Sequence, residues 1–504
     1  MLPVLITATY VELSRCNPSF SIQRLAWDDG VVKSPIYYQQ YINLFNYLKN
    51  MRKIRLFNMW YDIKSSFWFI PLLMIFSSFI FSLFTLFIDQ VLYKEELFQS
   101  YEYTQNILKY FVFVGADGAR SVLTTVSGSM ITVAGVTFSI TIVSLTMAAS
   151  QFGSRLLVNF MQDKSTQFVL GTFVSTYVYC LLVLRSVHSD YENLFVPTFS
   201  VNCAVLLAFF NVGVLVFFIH HISISIKAEC VIDSVYKQLK LDIDRMFIDG
   251  DHEASDDDSI KQTDFNSPEL AEEYPAKSAM YSPKTGYLQA IDYDKLMELS
   301  VEKDLVVQLE TKAGDYFVPG FPVATIRSKS RIQGEFVTGL SDVFLCGHQR
   351  TGEQDIESGI HQLVEIAVRS LSPGINDPFT AISCIDCLSS VFTILAQKRP
   401  PAAWHHDAEG CLRVLAKPVE YSMLLEAAFN QIRQNSKTSV AVTIRLMDAY
   451  HRIAFSLKDV ANKAALRRHV EMLLAAGACN IDCEHDMQDL KRRYDDCIDL
   501  LDIT

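Results

Sequence analysis

The sequence predicts a mainly α membrane protein: four transmembrane helices, a small barrel-sandwich-like β domain and a C-terminal cytosolic helical bundle. Three observations predict it. Half of the 504 residues are hydrophobic and only 20% are charged, which places the chain among membrane proteins. Four stretches are long and apolar enough for bilayer-crossing helices, which need ~20 mostly apolar residues. After the fourth, the pattern changes to short β-like runs and then to helical periodicity.

Residues 1–50 have no clear periodicity and lack the basic opening of a secretory signal. The stretch "MRKIRLFNMWYDIKSSFWFIP" is the more natural beginning, so translation is expected to start at Met51. Residues 51–228 form the membrane domain. Its spans are Phe67 to Ile88, Ser121 to Ser150, Phe168 to Leu184 and Phe199 to Ile219. Arg52, Lys53, Arg55 and Lys64 precede the first span, Arg155 and Lys164 separate the second and third, and Lys227 follows the fourth. The other two loops, "EELFQSYEY" and "HSDYEN", are acidic. The positive-inside rule then puts both termini in the cytoplasm of a bacterial inner-membrane protein.

Residues 229–246 continue as an amphipathic helix leaving the membrane. Residues 247–283 are acidic and poor in apolar side chains, as in a flexible linker. Their spaced aspartates do not make a calcium loop, because Gly250 is misplaced and no glutamate closes it. Residues 284–334 carry short β-like runs. Within them "KAGDYFVPGFPVATI" is similar to the second hairpin of a biotinyl/lipoyl domain, but lacks the Met-Lys-Met or Asp-Lys tip that carries the prosthetic group. From Thr351 onward the chain reads as helical, within a domain spanning residues 335–504.

Several functions are disfavoured. A net charge of −12 argues against nucleic-acid binding. The 11 cysteines show no disulfide-framework or zinc-ribbon spacing, so reduced thiols and no metal are expected. No nucleophile elbow, P-loop, dinucleotide fingerprint or His-Glu-x-x-His is present, so neither catalysis nor a cofactor is expected.

The second span carries the most information. Ser121, Thr125, Gly128, Thr132, Gly135, Ser139 and Thr146 recur at helical steps on one face, interrupted only by Ile142. Such a face lines an aqueous path, or packs closely against another helix. Arg120 at its outer end either anchors at the interface or, repeated in a homo-oligomer, concentrates anions at a pore mouth. His220 and His221 end the fourth span as interfacial anchors or as a titrating gate.

In the C-terminal domain, "SLSPGINDPFTA" interrupts two helical stretches. Asp377 can cap the second helix, with Pro378 at its first position. Polar residues crowd the same unit: Arg350, Gln354, Asp355, His361, Glu365, Arg369, Asn376 and Asp377. His361, Glu365 and Arg369 step by four along one helix face. That face is either a salt-linked surface or, with Asn376 and Asp377, a polar junction to the corner or to a neighbouring subunit.

The stretches "SSFWFIP", "GARSVLTTVSGSMITVAGVTFSITIVSLTMAASQFGSRLL", "FFIHH" and "QLVEIAVRSLSPGINDPFTAI" resemble the bacterial membrane-protein family catalogued as domain of unknown function 2254. The resemblance runs from about Met51 into the C-terminal helices. Family members usually carry proline where this chain has Ser154, and often phenylalanine where it has Ser358. The resemblance implies the class and no activity. Two functions remain open: a homo-oligomeric channel or permease gated by the cytosolic domain, and a membrane-anchored sensor or scaffold that conducts nothing. Both have the lipid bilayer as partner, and neither names the soluble ligand.

Overall fold

A computed structural model describes residues 67–94, 115–153, 163–188, 195–249, 265–282, 284–330 and 342–502. The expected start at Met51, the flanking charges before Phe67, the acidic residues of both loops and residues 250–264 of the expected linker lie outside them. Residues 265–282 of that linker are instead ordered, with the helix Pro268–Glu273 and the strand Ala276–Tyr281, whose pairing to a sheet a reading of local composition does not capture.

The chain is mainly helical with a small sheet region. Its first elements are four apolar helices: α1 (Phe69–Lys94), α2 (Ala116–Phe152), α3 (Lys164–Arg185) and α4 (Thr198–Ser225). The third is central, with 56% of its apolar window buried against 22%, 17% and 22% for α1, α2 and α4. Its small and hydroxylated residues explain the position. Gly171 lets Met74 and Pro71 of α1 come against the α3 backbone, as small residues do between membrane helices. Ser78 of α1 donates to the Ser175 carbonyl, and Asn211 of α4 donates to Thr176. Asp89 near the end of α1 accepts from Phe199 N, Ser200 N and Ser200 Oγ at 2.8, 3.0 and 2.6 Å, which caps α4 from a neighbouring helix.

The chain then turns into α5 (Ala228–Met246), whose buried Val231, Ile232, Val235, Leu239 and Ile243 form one stripe. This helix leaves the membrane helices straight into the C-terminal core. It packs there with α8 (Ile356–Ser370), α9 (Pro378–Leu395), α10 (Tyr421–Asn435), α11 (Val440–Ser456), α12 (Val460–Asn480) and α13 (Glu484–Asp502).

A fifth helix, α9, also meets the length and apolarity of a membrane span, where the sequence predicts four. Its Cys384, Ile385, Leu388, Val391 and Phe392 are fully buried among α5, α8, α10 and α11. A short apolar run has no periodicity to distinguish a core helix from a span.

The strands, with short helices α6 (Pro268–Glu273) and α7 (Tyr293–Glu302) between them, make two sheets and a two-stranded pair of β1 (Ile248–Asp249) with β8 (Lys398–Arg399). One sheet has the order β2 (Ala276–Tyr281), β6 (Pro322–Ser328), β4 (Leu305–Leu309), β10 (Leu412–Leu415), β9 (Trp404–His406). The other is β5 (Tyr316–Phe317), β3 (Gly286–Ile291), β7 (Phe344–Gly347). Three of these strands, β8, β9 and β10, fall where the sequence reads as helical or as a proline-rich loop. β10 pairs parallel with β4 (Val414 with Val307), and β9 pairs with β10 across a register shift. The turn between them is held by Asp407, which accepts from Glu409 N and Cys411 N and pairs with buried Arg413 at 2.7 Å. Runs of three or four residues give too little alternation to be read as strands.

His469 of α12 is 1% exposed, and its Nδ1 has no hydrogen-bond partner among the described residues. Burial, reinforced by Arg433 and Arg468, pushes its pKa down to about 4. The unfolded chain therefore takes up a proton between pH 6.5 and 4 that the folded chain refuses, and stability falls as the pH drops through that window. At pH 5 the loss should be about 2 kcal/mol. Thermal unfolding of His469→Leu against wild type from pH 7 to pH 5 is expected to have the shallower pH slope in the variant. Parallel slopes would contradict the assignment.

Candidate functional site

In α2, the residues Ala119, Leu123, Ser127, Met130, Ala134 and Thr137 are buried against α3 and α4. The opposite face is open. Ser121, Thr125, Gly128, Thr132, Gly135, Ser139 and Thr146 are all exposed, and a Cβ added at Gly128 or Gly135 would meet nothing within 4 Å. Among the described residues the stripe does not serve packing within the chain. Its hydroxyls bond back along their own helix: Thr125 to Ser121 O, Thr132 to Gly128 O, Ser139 to Gly135 O and Thr146 to Ile142 O, at 2.7 to 3.0 Å. With each proton engaged, such a hydroxyl offers oxygen lone pairs outward. Exposed Ile131, Val136 and Val143 flank the stripe. Arg120, in the first turn, donates to the Val187 carbonyl beyond α3 at 3.1 Å.

The far end of α2 meets the C-terminal domain. Ala148 and Phe152 are 2% and 5% exposed within the core formed by α5, α8 and α9. Gly153 then ends the helix at φ +110°, its N–H bonded to Ala149 O. A Cβ there would meet the Glu365 carboxyl of α8, the movable end of a flexible side chain, so it is the backbone conformation that calls for glycine. The signal was present in the sequence, since glycine after an apolar helix is a C-terminal cap. Glu365 also pairs with Arg369 one turn on, at 3.3 Å.

Beside this contact lies a cavity of about 360 Å³, lined by Gln151 and Phe152 of α2 and by Ser370, Gly374, Asp377 and Thr380 of the corner. The corner is a run of short-range backbone bonds. Ile375 N and Asn376 N donate to Ser372 O, and Asp377 N donates to Ser370 O at 2.7 Å. Asn376 takes φ +50°, a left-handed conformation that asparagine tolerates better than most residues. The Asp377 carboxylate accepts from Phe379 N, Thr380 N and Thr380 Oγ1, capping α9 as the sequence pattern indicates.

The predicted polar residues therefore divide. Glu365 and Arg369 lie on α8 with Glu365 against the α2 end, whereas Asp377 is taken up by its cap. Arg350 and Asp355 form a bidentate pair at 2.6 and 2.8 Å, with Glu357 and Lys312 beside them. Gln354 bonds both backbone groups of Ile291. These five residues tie the β region to the start of α8. At the near end of the membrane helices, His221 Nε2 lies 2.7 Å from Asp163, the cap of α3.

Among the described residues no group of three or more His, Cys, Asp or Glu side chains is placed to hold a metal. The Cys384 thiol is pushed well above its ordinary pKa by burial, with Cys387 beside it, and Cys387 itself rises to about 11. Both stay protonated at neutral pH, which suits packing and not nucleophilic attack.

The sequence matches a family described as predicted membrane protein over residues 64–452. Uncharacterized proteins of Mycobacterium bovis and of Mycobacterium tuberculosis are each 30% identical over 387 residues, covering 75% of this chain and 72% of theirs. No solved structure matches it significantly. The apolar helices and this match together assign the chain to the predicted membrane-protein family catalogued as domain of unknown function 2254.

Proposed function

We propose that the chain assembles as a homo-oligomeric channel-like protein, with the open face of α2 lining the path and the C-terminal domain regulating it. The observation that carries this reading is the division of α2 into a face buried within the chain and a hydroxyl-and-glycine face left open. A second copy placed around an axis would cover the flanking apolar side chains and leave the stripe facing water. Outward lone pairs suit water or a small cation better than an anion.

In this reading α1 to α4 cross the membrane and α9 does not. The neighbours of α3 are other apolar helices, whereas α9 itself carries Asp386, which pairs with Arg445 and Arg452 of α11. Lys164 and Lys227 stand at the end of the membrane domain that faces the C-terminal helices, which favours a cytoplasmic C-terminal domain in a bacterial inner membrane. The second reading, a sensor or scaffold without conduction, draws on the same contact of Ala148 and Phe152 with the C-terminal core and of Gly153 with Glu365, which would couple the two parts whether or not anything is conducted.

Purified protein in liposomes separates the two. The channel reading expects ion flux above that of empty vesicles, and Gly135→Leu should bring it to the empty-vesicle level. The space at Gly135 keeps that substitution harmless to the fold. Absence of flux in the wild type, or full flux in the variant, would leave the sensor.

At the other end, Gly153→Ala is expected to cost about 1–3 kcal/mol, the range for a strained backbone. Adding Glu365→Ala should recover the overlap and not the backbone strain. Unchanged thermal unfolding in Gly153→Ala would refute the role of this contact. Asp377→Ser keeps a capping oxygen, so its unfolding midpoint and assembly state should stay near wild type. Asp377→Ala should lose about 1 kcal/mol.

A further inference from the structure

Between α3 and α4, at the end of the membrane helices nearest the C-terminal domain, the surface opens into a cavity of about 620 Å³. Phe168 of α3 and Phe209, Phe210 and Phe217 of α4 form its walls, and all four rings are exposed. Its floor exists because Gly213 has no side chain; a Cβ there would meet nothing within 4 Å. Lys164 and Ser165 close one end. Lys164 is exposed and has no ion-pair partner among the described residues. The nearest carboxylate in sequence, Asp163, is already occupied. It accepts from Ser165 N, Thr166 N and Thr166 Oγ1 and lies 2.7 Å from His221.

The cavity thus has an apolar length and one cationic end. From Phe209 to Phe217 the wall runs about 12 Å along the helix, most of the ~15 Å depth of one bilayer leaflet. Exposed rings at this depth need apolar cover. Of the available occupants, an acyl chain lying along the helix also brings a phosphate to the level of Lys164, and the volume falls within the range of small-molecule sites.

We propose that this groove is a binding site for an anionic phospholipid, one acyl chain lying over Gly213 among the four phenylalanines and the phosphate meeting the Lys164 ammonium and the Ser165 hydroxyl. The proposal rests on α3 and α4 lying in the bilayer and is independent of whether the protein conducts.

Native mass spectrometry of the full chain in detergent tests it, with dioleoyl phosphatidylglycerol or dioleoyl phosphatidylcholine added in turn. Wild type should retain the glycerol lipid in preference to the choline lipid. Lys164→Glu, an exposed change, should lose that preference while still retaining lipid. Gly213→Leu, which fills the groove, should retain neither above background. Unchanged preference in Lys164→Glu, or lipid retained as in wild type by a folded Gly213→Leu, overturns the proposal. If Gly213→Leu instead changes the subunit number with lipid retention intact, the groove is a contact between copies and the proposal also fails. None of these outcomes depends on flux, so failure here is distinct from failure of the channel reading.

Discussion

The 37 residues of α2 extend about 55 Å at 1.5 Å per residue, against a hydrocarbon thickness of ~30 Å. A helix that long cannot end where the membrane ends, and its surplus has to be placed somewhere. The surplus turns are used at the Phe152 end, where Ala148 and Phe152 sit in the same core as α5, α8 and α9. One unbroken rod therefore runs from the open hydroxyl face to the inside of the C-terminal domain. The rod stops at Gly153, whose φ of +110° takes the backbone out of the helical region beside the Glu365 side chain. The same core takes in α5 through Val231, Ile232, Val235, Leu239 and Ile243, and α8 places Glu365 beside Gly153.

The SPGINDP corner belongs to the same constraint. It begins where α8 ends, one turn beyond Arg369, and lines the cavity beside Gln151 and Phe152. Prolines at 373 and 378 limit the backbone before and within the corner, and Asn376 accepts the one left-handed position. Its rigidity comes from backbone bonds and a cap. Its use comes from where α8 and α9 are consequently held, with Gln151 and Phe152 of α2 lining the cavity beside them.

Much of this was legible in the sequence, and the exceptions have physical causes. The four apolar helices, the stripe on α2 and the Asp377 cap are local patterns, set by residues three or four apart. The parallel pairing of β10 with β4 joins residues more than a hundred apart and leaves no periodic trace in four residues. The apolarity of α9 is equally ambiguous, because a helix buried in protein and a helix buried in lipid meet similar solvents. The Asp89 cap on α4 depends on two helices meeting, which neither helix encodes alone. The stripe was visible as a face, but not the direction in which it points. Direction is decided by which other face of α2 packs better, and Leu123, Met130 and Ala134 against α3 and α4 decide it.

The membrane helices use polar groups in two different ways, and the difference bears on movement. Around α3 they bond between helices: Asp89 to α4, Asn211 to Thr176, Ser78 to the Ser175 carbonyl, and Tyr179 to the Ser200 carbonyl at 3.0 Å. Each such bond has a fixed register, and breaking one strands a polar group in apolar surroundings at about 1–3 kcal/mol. The helices α1, α3 and α4 are thereby locked as a unit. The α2 hydroxyls bond within α2, so turning or sliding that helix breaks none of them. Its contacts with α3 and α4 through Leu123, Met130 and Ala134 are apolar and impose no hydrogen-bond register. Among the described residues, the hydrogen bond that does tie an α2 side chain to a neighbouring element is Arg120 to the Val187 carbonyl at the far end. At the Phe152 end α2 is therefore held by apolar contact with the C-terminal core.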